Sequence, residues 1–182
     1  MAKAVLISIR PEWAEKILFG KKTLEVRKTR PCLETPFKCY IYYTKSVMIG
    51  LRGKPGYVVG EFVCDRVETI KAATEPYGIY DVDDDFVAQT GLVDGALWGY
   101  GKGATLYGWH ISKLEIYDTP KELNEFWFPP ELYCKKERCG GCPYDQVADV
   151  NGEYSFDCEW KRPLTRPPQS WCYVEDLKDG QS

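Results

Sequence analysis

Hydrophobic and polar positions alternate along this chain in ways that separate strands from helices. Ala4 to Ile9 is a short aliphatic run suited to a buried strand, and Arg10-Pro11 closes it. Pro11 suits the first helical position, where its missing N–H has no intrahelical partner to lose. Glu12 and Glu15 then lie near a positive helix end, and Trp13/Ile17 and Ala14/Leu18 build one apolar face at i, i+4 spacing. With Gly20 as stop, the pattern predicts a two-turn helix from Pro11 to Phe19.

Thr23 to Lys28 alternates with period two, so Leu24 and Val26 face one side and Glu25 and Arg27 the other. Further strands are expected at Cys39–Thr44, Tyr57–Ile70, Thr105–Tyr117 and Ser170–Glu175. Val82 to Trp98 reads as one or two short helices around Gly91 and Gly95, and Pro120 to Phe126 as a further helical turn. From Phe128 the pattern breaks: prolines recur at 129, 130, 143, 163, 167 and 168, and five of the eight cysteines follow. The order predicts a mixed α+β fold, a small mixed β-barrel flanked by short helices, carrying a cysteine-rich insertion.

The 182 residues fit one domain with an elaboration, and 44% apolar with 28% charged residues excludes collagen-like, coiled-coil and wholly disordered classes. No apolar run approaches the roughly 18 residues that span a bilayer, and the first nine residues are too short for a secretory core, so a soluble cytoplasmic protein with no membrane partner is expected. In that compartment eight cysteines are thiols or metal-bound thiolates rather than disulfides.

The net charge of -3 conceals an asymmetry: residues 1–55 hold twelve Lys/Arg against four Asp/Glu, and the remainder hold twelve against twenty-three. A basic N-terminal region suits a polyanionic partner, although two solvated faces give the same arithmetic. Within it, Lys22, Glu25 and Arg27 form a K-x-x-E-x-R string whose last two members share a strand face. Cationic donors beside a carboxylate suit a phosphate and a nucleobase amine, while a solvated strand face with a surface salt bridge shows the same alternation.

The stretch from Ser8 to Arg27 resembles the ASCH family of PUA-like domains, whose G-x-K-x-x-E-x-R signature is matched by Gly20, Lys22, Glu25 and Arg27. Gly60-Glu61-Phe62-Val63 and Trp109-His110-Ile111 look like the family's later strands. The resemblance covers about residues 4 to 126 and the final strand, so the domain is expected over 1–127 plus 169–176, with 128–168 as an insertion. It implies a barrel with a cleft beside the first helix, where the signature residues line a pocket for RNA or a modified nucleoside. The family includes RNA-binding modules, a single-strand ribonuclease and amidohydrolases acting on acetylated cytidine. The amidohydrolases use the signature lysine with a threonine and a distal glutamate; here Glu25 stands at the threonine's position.

For Lys22 to act as base or nucleophile it must be neutral, well below the usual lysine pKa of about 10.4, and Glu25 opposes that. Binding needs no such tuning. The leading expectation is therefore an RNA- or nucleotide-binding protein using Arg10, Lys22, Glu25, Arg27, Arg30, Thr44 and Lys45; the alternative is a ribonuclease or nucleoside amidohydrolase with Lys22 and Glu25 as catalytic candidates. Tyr42 and Tyr43 could stack on bases but read more simply as core, and Arg52 and Lys54 sit in a glycine-flanked loop. His110, the one histidine, reads as a structural residue, and Cys32, Cys39 and Cys64 as small buried hydrophobes.

Cys134-x4-Cys139-Gly-Gly-Cys142 contains a C-x-x-C loop that presents two thiolates to one metal. With Cys134 and Cys158 as the remaining ligands, and Cys172 as the alternative fourth, it predicts a structural zinc that stabilises a segment too polar for its own core. The C-x4-C-x2-C spacing also resembles plant-type [2Fe–2S] ligation, and a redox pair or unliganded thiols remain further options. The insertion could also engage a protein partner.

Overall fold

The computed structural model describes residues 3–45, 55–73, 79–93, 95–129 and 162–177. In chain order the elements are β1 (Lys3–Ile9), α1 (Pro11–Leu18), β2 (Leu24–Arg27), β3 (Phe37–Tyr43), β4 (Val58–Ile70), α2 (Asp84–Thr90), α3 (Ala96–Gly101), β5 (Leu106–Lys121), a 3-10 turn (Leu123–Glu125) and β6 (Trp171–Glu175). The six strands form one mixed sheet in the order β2-β5-β4-β3-β1-β6. The β1–β3 pair is parallel, with Val5 opposite Cys39, and the other pairs are antiparallel.

β1 is apolar on both sides because both sides are covered. Val5, Ile7 and Ile9 join Ala14 and Ile17 of α1, Phe62 and Trp109 in one core, while Ala4 and Leu6 join Tyr40, Phe126, Leu164 and Val174 in a second. Parallel pairing with both faces buried explains a continuous aliphatic run where a half-solvated strand would alternate. A third core under α2 and α3 takes Leu24 and Val26 from β2, together with Ile70, Phe86, Leu97 and Leu106.

The expected barrel is corrected to an open sheet. Edge strands β2 and β6 share no backbone ladder. Side chains span the gap instead: Arg27 bonds to Ser170 Oγ at 3.2 Å, Trp171 Nε1 donates to Thr29 Oγ1 at 3.0 Å, and the Cys32 amide donates to the Tyr173 hydroxyl at 2.7 Å. A guanidinium and aromatic rings thus stand where a closing ladder would run.

Two element boundaries also move. β5 continues through Pro120 to Lys121 because Lys121 still pairs with Val58, so helical geometry begins only at Leu123. The 82–98 segment forms two helices, since Gly91 (φ 65°) and Gly95 (φ 77°) take left-handed backbone that ends one and starts the next. At the base of the predicted insertion, Phe128 N donates to Arg162 O at 3.1 Å and Leu164 N to Phe126 O at 2.8 Å, so the chain returns beside the point where it leaves.

Candidate nucleic-acid interface

The local sequence of β2 places apolar and ionic side chains on opposite faces, yet all four residues are buried. Leu24 and Val26 enter the core below α2 and α3. On the other face Glu25 lies between two cations, Oε2 3.2 Å from Lys22 Nζ and Oε1 2.9 Å from Arg27 Nη2. Lys22 is 3% exposed and Arg27 9%, so the solvated-face reading is excluded.

Lys22 Nζ also donates to Leu24 O at 2.8 Å and Thr90 O at 2.7 Å, which with Glu25 occupies all three ammonium hydrogens. Arg27 Nη2 reaches Ser8 O at 2.7 Å, and its Nε is buried without a hydrogen-bond partner among the described residues. Burial would raise the Glu25 pKa, but Lys22 and Arg27 outweigh it and hold the carboxyl below its ordinary value. The cluster is an ionised cation–anion–cation triad.

The cluster is anchored to α1 and α2. Lys16 Nζ donates to Gly91 O at 2.6 Å, one residue beyond the Thr90 carbonyl taken by Lys22, so two lysines cap the C-terminal end of α2. The Trp13 ring lies beneath both ammonium groups, 4.6 Å from Lys16 Nζ and 5.6 Å from Lys22 Nζ.

The other sequence-predicted residues occupy the surroundings. Arg10 directly follows β1 and is exposed, and Thr44 N donates to Ile9 O at 3.0 Å. Since Arg27 holds the neighbouring Ser8 carbonyl, Arg10, Thr44 and the exposed Lys45 share the C-terminal end of β1 with the triad's outer member. Arg30 is exposed on the β2–β3 loop, its Nε directed at Pro31 O. Tyr42 and Tyr43 are core residues, Tyr43 donating to Glu15 at 2.9 Å. Arg52 and Lys54 lie outside the described residues.

Sequence reasoning missed Tyr100 of α3. Its ring lies 5.1 Å from Lys28 Nζ; burial raises the pKa of its hydroxyl, and Arg27 and Glu25 are near enough to act on it electrostatically. A Gly-Tyr-Gly run in a six-residue helix carries no recognisable signal for this; only the fold brings residues 28 and 100 together. A cleft of about 230 Å³ opens elsewhere, between β4 and α2, lined by Glu68, Thr69, Ile70, Asp81, Val82, Asp83 and Phe86. Its three carboxylates make it unsuitable for phosphate.

His110 is buried with Nε2 2.6 Å from Glu68 Oε1, a structural arrangement. Cys64 does not supply an activated thiolate: burial, with Asp65 adding to it, pushes the thiol up to about 12, and Sγ donates to Arg66 O. No group of three or more His, Cys, Asp or Glu among the described residues could hold a metal. Cys134, Cys139, Cys142 and Cys158 lie outside the described residues. Cys172 is on β6 opposite Leu6, packed against the second core, its thiol raised to about 12 by burial.

No helix among the described residues is long and apolar enough to cross a membrane. No protein-family model matches the sequence, and no curated protein sequence matches it. Solved structures do. An ASCH protein from Zymomonas mobilis superposes with a TM-score of 0.55 at 17% identity, over 94% of this chain and 87% of that one. A serine-to-alanine variant of that protein gives 0.53 at 16%, over 94% and 88%. The shared architecture is the ASCH-domain fold.

Proposed function

We propose, taking the ASCH-domain fold as premise, that the chain binds single-stranded RNA or a nucleotide at the surface above Lys22, Glu25 and Arg27. One observation carries this reading: three ionised side chains are kept in the interior, where apolar residues of similar volume would hold β2 at no greater cost in stability. Lys22 is a positioning residue in this scheme, fixing Glu25 and α2. Arg10, Arg30 and Lys45, with Thr44 beside them, supply contacts to phosphate from the rim.

Affinity of a fluorescently labelled single-stranded RNA, measured across a salt series, tests this. Wild-type binding is expected to weaken with salt, and Arg10→Ala with Lys45→Ala is expected to reduce the magnitude of the log–log slope by about 1.4, two phosphate contacts on a single strand. Absence of binding to RNA and to nucleotides at low salt would remove the proposal. The hydrolase alternative needs a neutral Lys22, against an ammonium whose three hydrogens all have acceptors. Turnover of RNA or N4-acetylcytidine that disappears in Lys22→Ala would reverse the assignment.

From the sequence we also propose that residues 128–168 form an insertion on the domain of residues 1–127 and 169–176. In it Cys134, Cys139, Cys142 and Cys158 hold a structural zinc, and its surface serves a protein partner. Metal analysis is expected to find about one zinc per chain, lost in Cys139→Ser; metal-free protein of full stability would exclude the site. A reducing cytoplasm fits the four described cysteines, all free thiols.

A further inference from the structure

The buried triad explains how β2 is held but leaves few groups free for a ligand. Lys22 has no hydrogen to spare, and each Glu25 oxygen already meets a cation. Discrimination between a base and any other anionic ligand must therefore come from groups around the cluster. Such a group needs an accessible flat face, a position beside Glu25 and Arg27, and a cation within reach of a phosphate.

Tyr100 meets these conditions. It is 40% exposed, whereas Tyr40, Tyr42, Tyr43 and Tyr80 are buried. Burial raises the pKa of its hydroxyl, and Arg27 and Glu25, which act on it electrostatically, lie nearby. The exposed Lys28 side chain places its ammonium 5.1 Å from the ring centroid.

The helix beneath this ring is anchored in the core. Leu97 of α3 is buried in the third core, the Trp98 ring packs on Tyr80 at 6.0 Å, and the Tyr80 hydroxyl donates to Ala104 O at 2.7 Å. Between Trp98 and Tyr100, a side chain at Gly99 would meet no atom within 4 Å, so the surface next to the ring is open. An exposed aromatic on a helix anchored in the core, with open space beside it, suits stacking, because only the side chain has to be ordered on association.

We propose that Tyr100 and Lys28 form the base seat of this site: the Tyr100 ring stacks on a nucleobase of single-stranded RNA or of a nucleotide, and Lys28 contacts the adjoining phosphate. The inference rests on the RNA-binding reading above and names the residues that recognise the base. The lysine over the ring gives way on binding, since an exposed cation–π contact is weaker than a stacked base and the ammonium gains a phosphate.

Anisotropy of a labelled six-nucleotide single-stranded RNA, at several salt concentrations, tests the seat. Tyr100→Ala and Tyr100→Leu are expected to bind about 5- to 100-fold more weakly with an unchanged salt slope, and Tyr100→Phe to stay within about twofold of wild type. Lys28→Ala should instead reduce the slope by about 0.7. Tyr100→Leu keeps bulk without a flat face, so the Phe–Leu contrast decides even if the alanine variant is unstable. Wild-type binding together with an unaffected Tyr100→Leu would overturn the seat and leave the RNA reading standing. Equal losses in Tyr100→Phe and Tyr100→Leu would also overturn it, and wild-type protein that binds no RNA overturns both.

Discussion

Glu25 is the residue on which the charged cluster turns. Its carboxyl is held below the ordinary 4.5: burial raises it, and the attraction of Lys22 and Arg27 more than offsets that. A lowered folded-state pKa means that its contribution to stability is complete above the unfolded-state value and is lost as the pH falls through it toward the folded value. Wild-type protein should therefore lose stability below about pH 4.5 more steeply than Glu25→Gln. At neutral pH the glutamine variant should be less stable by about 3–5 kcal/mol, because two buried cations lose their counter-charge. Denaturant midpoints from pH 3 to 7 check both; parallel pH curves would show that another carboxyl governs the acid limb. The sequence spacing discloses that Lys22, Glu25 and Arg27 lie close together. It does not disclose that Lys22 is saturated, since one acceptor is the carbonyl of Thr90, 68 residues away.

Among the elements, α2 shows how a weak sequence signal becomes a well-fixed structure. It has only seven residues, too few to be stable alone, with Asp83 Oδ1 accepting from Phe86 N at 2.7 Å at one end and Gly91 in left-handed backbone at the other. The lysines that bind its final carbonyls come from α1 and the α1–β2 turn, so helix periodicity in residues 82–98 contains only part of what forms it. By contrast, α1 was legible because its apolar face, its proline and its charges are local. β2 was legible as an alternating strand, but alternation alone does not distinguish a solvated face from one covered by other parts of the chain. Lys16→Met removes one cap while retaining most of the apolar stem over Trp13. The expected result is a loss of about 1 kcal/mol and faster amide exchange confined to residues 88–92. Unchanged exchange there would show that Lys22 alone suffices.

For the whole molecule, the charge surplus of residues 1–55 overstates the basic surface, because the fold uses several of those cations internally. Lys22 and Arg27 share Glu25, and Lys38 lies 3.1 Å from Glu61 on β4 and 3.4 Å from Asp176, just past the end of β6. Arg10, Lys21, Lys28, Arg30 and Lys45 remain exposed. Long-range pairing of this kind cannot be read from local composition, nor can the openness of the sheet, which depends on side chains meeting between strands more than 140 residues apart. The seam explains how an open sheet keeps β2 in place: Trp171 bonds to Thr29 and packs on Trp109 at 6.0 Å and Tyr173 at 5.4 Å. Trp171→Ala should cost about 3 kcal/mol through lost packing and the lost bond, whereas Trp171→Phe keeps an aromatic ring and should cost about 1 kcal/mol. If the seam retains β2, the alanine variant's amides at 24–27 will exchange faster while those at the centre of β3 and β4 change only with global stability. A uniform increase across all six strands would mean that β2 is held by β5 alone and that the seam contributes only to the general core.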